Sequence, residues 1–218
     1  MILPPDEKLT QDGLAPTAAP SDGRVLLIAC GALAREILDL KDANGWEHMA
    51  LTCLPAILHA RPEKIVPAVR AAVDKHRGDY ARIYVVYADC GTGGLLEAAC
   101  AEMGVEMVKG PHCYAFFEGN DRFAERAGDE VTAFYLTDFL VRQFDAFVWR
   151  PLGLDRYPQL RDTYFAHYEK LVYQAQTDDP ALTDLARAHA DRLGLAFERR
   201  VTGYGDLAVT LSDWAARR

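Results

Sequence analysis

The chain predicts an α/β fold: an open, mainly parallel, Rossmann-like sheet flanked by helices, with a helical elaboration toward the C-terminus. Three observations carry this. Short, continuous aliphatic runs recur where strands buried on both faces would need them, each is followed by a segment with helical spacing, and the alternation suits right-handed β-α-β crossovers. At 218 residues, half of them apolar, the chain can bury one substantial core, so residues 24–218 are expected to form a single α/β domain. Residues 1–23, with prolines, small residues and mixed charges, lack periodicity and read as a flexible or draped arm.

The elements follow in order. "RVLLIAC" (24–30) is a buried strand, and "GALAREILDL" after it places Leu33, Ile37 and Leu38 at helical positions. "HMALTCLPAIL" (48–58) reads as a strand running into a loop, and a helix is expected from Pro62, with Ile65, Val69 and Val73 four residues apart. "YARIYVVYADC" (80–90) is the clearest strand, and "GGLLEAACAEMG" is a short helix closed by Gly104. "VEMVKGPHC" (105–113) is a further β run, followed by a helix near "AFFEGNDRFAERAG". The remainder reads as mainly helical. Thr137 or Asp138 caps "LTDFLVRQFDAFVW", Leu160, Tyr164 and Leu171 share a face, a helix runs from Thr183 to Gly194, and "AFERRVTG" adds a last strand.

A formal charge of -8 argues against nucleic acid, whose sequence-independent affinity comes from Lys and Arg displacing counterions. No stretch approaches the roughly 20 apolar residues that span a bilayer, and the N-terminus lacks a basic start with a sustained hydrophobic region, so a cytoplasmic location without membrane contact is expected. Five cysteines, an odd number in a chain large enough to fold without staples, point to reduced thiols.

Ligands of open α/β sheets bind beyond the carboxyl ends of the strands. Cys30, Cys90 and Cys113 each fall at such an end, so parallel strands would gather them along one rim, where His59 and His112 could join them. Thiolates with imidazole suit a transition metal, zinc first, with iron or a corrinoid cobalt as alternatives. Cys30, Cys90 and Cys113 are therefore candidate metal ligands, and His59, Asp89 and His112 candidate catalytic groups. Gly91, Thr92, Gly93 and Gly94 form a turn whose amides and following helix would hold an anionic cofactor group or a Cys90 thiolate. Each residue has a plainer reading: free cysteines pack as small hydrophobes, and an Asp before glycines forms turns. Cys53 and Cys100 read as packing. "CGTGG" is neither G-x-G-x-x-G nor a P-loop, C-x4-R falls one residue short of the thiol-phosphatase loop, and no G-x-S-x-G or D-x-H-x-x-G element occurs.

Taken in order, "LIACGALAREI", "LPAILHARPEKI", "VYADCGTGGLL", "GPHCYAFFEGNDRF", "FYLTDFL" and "HYEKLVYQ" resemble the bacterial and archaeal family called domain of unknown function 1638, over residues 24–210. The resemblance places Cys30, His59, Cys90 and Cys113 on the family's "ACG", "LP..LH..PE", "G.CG" and "DC" positions. The chain departs from the pattern with "ADCG" before the glycine turn and "PHC" before Cys113. The resemblance implies an association with corrinoid-dependent methyltransferase systems. The expectation is thus a metal-binding enzyme or accessory factor in one-carbon, corrinoid-linked methyl transfer, with a small one-carbon substrate or a corrinoid methyltransferase as partner. The alternatives are a non-catalytic partner or chaperone with structural cysteines, and a metal-free thiol nucleophile at Cys90.

Overall fold

The structure is a computed structural model that describes residues 4–217. Residues 1–3 of the expected arm and residue 218 lie outside the described residues. The chain divides into two compact units, one of residues 4–113 with 207–217 and the other of residues 114–206. Both are built on parallel sheets flanked by helices.

The first unit begins with helix α1 (Asp6–Gln11), in the segment read as a flexible or draped arm; its Leu9 is fully buried. Strand β1 (Ser21–Cys30) leads through a 3-10 turn (Gly31–Leu33) into α2 (Ala34–Asn44), and β2 (Met49–Leu54) through two further 3-10 turns (Ala56–Ala60 and Pro62–Lys64) into α3 (Ile65–His76). The four-residue spacing in α3 is the buried stripe, since Ile65, Val69 and Val73 are fully enclosed. Strand β3 (Tyr80–Val86) precedes α4 (Leu95–Met103), whose end at the left-handed Gly104 is sealed by the Val105 amide on the Cys100 carbonyl. Strand β4 (Glu106–Met107) completes a four-stranded parallel sheet in the order β2-β1-β3-β4. Val25 to Cys30 of β1 are buried throughout, as a central parallel strand requires.

Two expectations are corrected here, and both concern where thiols sit. β3 stops at Val86, so Cys90 lies in the loop four residues beyond it. The run 105–113 yields only two strand residues, and Cys113 instead opens helix α5 (Cys113–Glu118). Gly110, at φ 133°, turns the chain out of the extended path.

In the second unit α6 (Asn120–Arg126) is separated from α5 by Gly119 at φ 97°. There follow β5 (Ala133–Leu136), α7 (Asp138–Arg142), a π turn (Asp145–Trp149), α8 (Leu160–Phe165), β6 (Lys170–Ala175), α9 (Pro180–Leu193) and β7 (Ala196–Val201). The strands form a parallel sheet in the order β5-β6-β7, of which only β7 was expected. Leu171 belongs to β6 and not to a helix shared with Leu160 and Tyr164, and α9 is capped by Asp179 with Pro180 in its first turn, three residues ahead of the predicted start. Helix α10 (Gly205–Ala216) closes the chain. No helix among the described residues is long and apolar enough to cross a membrane.

Candidate functional site

The carboxyl ends of β1 and β2 lie side by side, with Cys30 in register with Leu54, and β3 flanks β1 with Val86 beside Ala29. Each strand therefore delivers its following loop to one rim of the sheet. Cys30 ends β1 and is 2% exposed. Gly31 behind it must be glycine, because a Cβ would lie 2.4 Å from the Leu9 carbonyl oxygen of α1. The Cys30 sulfur accepts the Ala32 amide at 3.4 Å and lies 3.4 Å from His59 Nδ1. Burial pushes the Cys30 thiol up to about 12, against the Ala32 and Tyr87 contacts that lower it, so it is neutral at pH 7.

His59 comes from the 3-10 turn after β2 and is half-buried. Burial disfavours its cation, but the hydrogen bond and electrostatic attraction of Cys90, with the Ala56 carbonyl, outweigh it and hold the imidazole above its ordinary value. The ring therefore lies against the Cys30 sulfur and is influenced electrostatically by Cys90. Tyr87, immediately after β3, runs nearly parallel to that ring (11°, centroids 6.1 Å apart). Its hydroxyl is fully buried near Cys30, Cys53 and Cys90, beside the Cys30 sulfur but without a hydrogen bond of proper geometry.

Cys90 is half-buried, with its amide bonded to the Pro111 carbonyl at 3.0 Å. Among the described residues it is the one non-glycine with positive φ, at 50°. An L-residue in the left-handed region is strained, and such strain collects at sites where geometry has to be imposed.

The glycine turn is organised by Asp89. Its carboxylate accepts the Thr92 hydroxyl (2.6 Å) and the amides of Gly93 (3.0 Å) and Gly94 (2.7 Å). Burial works against the charge, but Thr92 and the Gly94, Gly93 and Gly91 amides prevail and hold the carboxyl below its usual range. Asp89 thus fills the turn-forming role. It also engages the amides that were expected to meet an external anion, so Gly91, Thr92, Gly93 and Gly94 cradle the chain's own carboxylate.

The remaining candidates lie on the loop after β4 and in the core. His112 is half-buried, and burial lowers its pKa. Cys113 lies at the start of α5, brought toward the rim by the Asp89 and Cys90 amides pairing with the Gly110 and Pro111 carbonyls. Cys53 is buried in β2, its backbone paired in both directions with Leu14, and Cys100 is buried in α4; both pack as expected. Among the described residues no group of three or more His, Cys, Asp or Glu side chains is arranged so that it could hold a metal ion. A cavity of about 640 Å3 lies elsewhere, around the first half of β3 and lined by Arg77, Tyr80, Arg82, Tyr84, Glu106 and Arg217. Its arginines are engaged: Arg77 and Arg82 bond the Met103 and Arg217 carbonyls, and Arg217 pairs with Glu106 and Asp213.

The family model described as protein of unknown function DUF1638 matches residues 53–211. The chain belongs to the DUF1638 family. The DUF1638 match starts within β2, so it contains His59, Cys90 and Cys113 while Cys30 precedes it. No curated protein matches the chain. Of the residues that matter at the rim, the sequence of this DUF1638 member gave no signal for Tyr87, which looks like the end of an aliphatic strand.

Proposed function

We propose that the protein is an enzyme of thiol-dependent group transfer, with Cys90 as nucleophile and His59 as the base that takes its proton. The observation that carries this reading is the left-handed backbone of Cys90, imposed in the loop between a buried parallel strand and a helix, with His59 close enough for Cys90 to raise its pKa. A nucleophile held beside a base in the loop after a parallel strand is a recurrent catalytic arrangement. In the step envisaged, the Cys90 sulfur forms a bond to an electrophilic carbon, the leaving group departs with its bonding pair, and the thiol proton passes to His59. Transfer of a small one-carbon group, the class implied by the resemblance, falls within this chemistry.

The test is alkylation of the native protein by iodoacetamide at neutral pH, mapped by peptide mass. Cys90 is expected to label well ahead of Cys30, Cys53 and Cys100, and His59→Ala to slow it by about tenfold or more. Uniformly slow labelling would overturn the reading. Elemental analysis of anaerobically purified protein belongs beside it. Near-stoichiometric zinc, iron or cobalt that Cys90→Ser removes from a folded chain would replace the free nucleophile with the metal-bound thiolate.

A further inference from the structure

The outer strand of a sheet leaves half of its backbone groups without a strand partner, and proteins cover or blunt such edges because they invite pairing with another chain. In the first unit β2 is covered: the Leu14 amide bonds the Cys53 carbonyl, the Cys53 amide bonds the Leu14 carbonyl, and the Thr17 amide bonds the Leu51 carbonyl. In the second unit β7 ends the order β5-β6-β7 and pairs in unbroken register with β6 alone. Neighbouring residues of a strand direct their amide and carbonyl groups to opposite edges. The Ala196 and Thr202 amides bond the Glu169 and Ala175 carbonyls, which assigns the even-numbered positions to β6 and turns the backbone groups of Phe197, Arg199 and Val201 outward. Outside the β6 ladder no hydrogen bond to the backbone of these residues occurs among the described residues. The edge, "AFERRV", carries no proline, lysine or bulge, and Val201 at its end is 67% exposed.

We propose that the β7 edge pairs with the β7 edge of a second copy of this chain, joining the two sheets into one across a two-fold axis. Edges related in this way run antiparallel, and side chains that stand opposite must share a face, so the axis passes through a residue and not between two. Arg199 is the residue that fits. It is the middle one of the outward positions, so its amide and carbonyl meet those of the other Arg199 while Phe197 meets Val201 on either side, and every outward group finds a partner. The side chains select the same register. Glu198 then stands across from Arg200 of the other copy, where opposite charges attract, and Phe197 covers the exposed Val201. Centring on Glu198 or on Arg200 would set like charges against each other at the close spacing of a non-hydrogen-bonded pair. Centring on Phe197 or Val201 would leave the other end of the edge unpaired. The two Arg199 side chains face each other at the wider spacing, and each is neutralised by Asp178 at 2.7 Å. A contact built on one strand edge is small, so the pair forms reversibly, with a dissociation constant on the order of tens of micromolar.

The experiment is sedimentation equilibrium of the full chain over a concentration series, in which the mass is expected to rise from one chain toward two across tens of micromolar. Val201→Pro removes one outward amide and leaves every bond to β6 in place, so it is expected to stay at the mass of one chain with an unchanged circular-dichroism spectrum. Should it fail to fold, Val201→Lys, which keeps the amide and sets a charge against Phe197, carries the same expectation. Arg199→Cys places one thiol against its own copy at a Cα separation of about 5.5 Å, within the reach of a disulfide. Mild oxidation at high concentration is therefore expected to link two chains through position 199, as mapped by peptide mass, whereas Val201→Cys, which faces Phe197, does not link to itself. A chain that stays single at every concentration overturns the proposal. So does a pair that survives the Val201 substitutions, or one that links through position 201 and not 199, because the contact then lies elsewhere. Slow hydrogen exchange at the Phe197, Arg199 and Val201 amides of dilute, single chains would show the edge filled by another occupant, and would overturn the second copy as well.

Discussion

Holding Cys90 at φ 50° strains the chain by roughly 1–2 kcal/mol relative to glycine, because an L-residue's Cβ crowds the following carbonyl there. Two variants isolate that strain, since both remove the thiol. Cys90→Gly is expected to be about 1 kcal/mol more stable to urea than Cys90→Ala, and equal midpoints would show the position to be unstrained. Asp89 next to it gives a pH dependence. Its folded pKa lies below the usual value, so its contribution is present above the ordinary carboxylate range and is lost as pH falls through the depressed value. Asp89→Ala should therefore lose about 1 kcal/mol at pH 7, with the gap to the unchanged protein closing in acid. Cys30 was legible as the end of β1 because a parallel sheet dictates where strand ends go, whereas Cys90 falls four residues beyond the strand it was expected to end. Tyr87 was not legible, because whether a buried hydroxyl finds a partner depends on atoms from three separate loops.

At the scale of elements, legibility followed the number of faces a strand buries. β1 and β3 read directly from continuous aliphatic runs, whereas β6, "KLVYQA", was absorbed into a helical pattern because Leu160, Tyr164 and Leu171 happen to fall at helical intervals. What the pattern could not reveal is the ionic ladder that pins these strands together. Glu130, just ahead of β5, meets Lys170 of β6 at 3.2 Å and Arg200 of β7 at 2.8 Å, while Glu198 bonds Lys170 at 2.7 Å. Chiefly through the Arg200 hydrogen bond, Glu130 is held at about 2, against an ordinary value of 4.5. Because that folded value is depressed, the stabilisation is full above pH 4.5 and disappears as pH falls toward about 2. Glu130→Gln is expected to cost at most about 3 kcal/mol at pH 7 and to flatten acid unfolding across that window. An unchanged acid limb in urea titrations from pH 2 to 5 would remove Glu130 from the ladder.

At the scale of the whole molecule, one α/β domain was expected, and the chain instead gathers as two compact units, one inserted between residues 113 and 207 of the other. Length and composition do not distinguish these cases, since both give alternating strands and helices with the same apolar fraction. The inserted unit has the parts of an independent fold. Its core runs from Leu136 through Phe144, Leu171 and Tyr173 to Leu193, all nearly or fully buried, and Arg192 of α9 covers the Trp149 ring at 3.6 Å. Asp206 ties its end to its start through the Asn120 amide at 2.8 Å. Residues 114–206 expressed alone should therefore show one cooperative thermal transition with an α/β circular-dichroism spectrum. Small domains bury a lower fraction of their surface, so a stability of only a few kcal/mol is expected. A gradual melt with strong binding of a hydrophobic dye would mean that this core does not close by itself, and that residues outside 114–206 help to seal it.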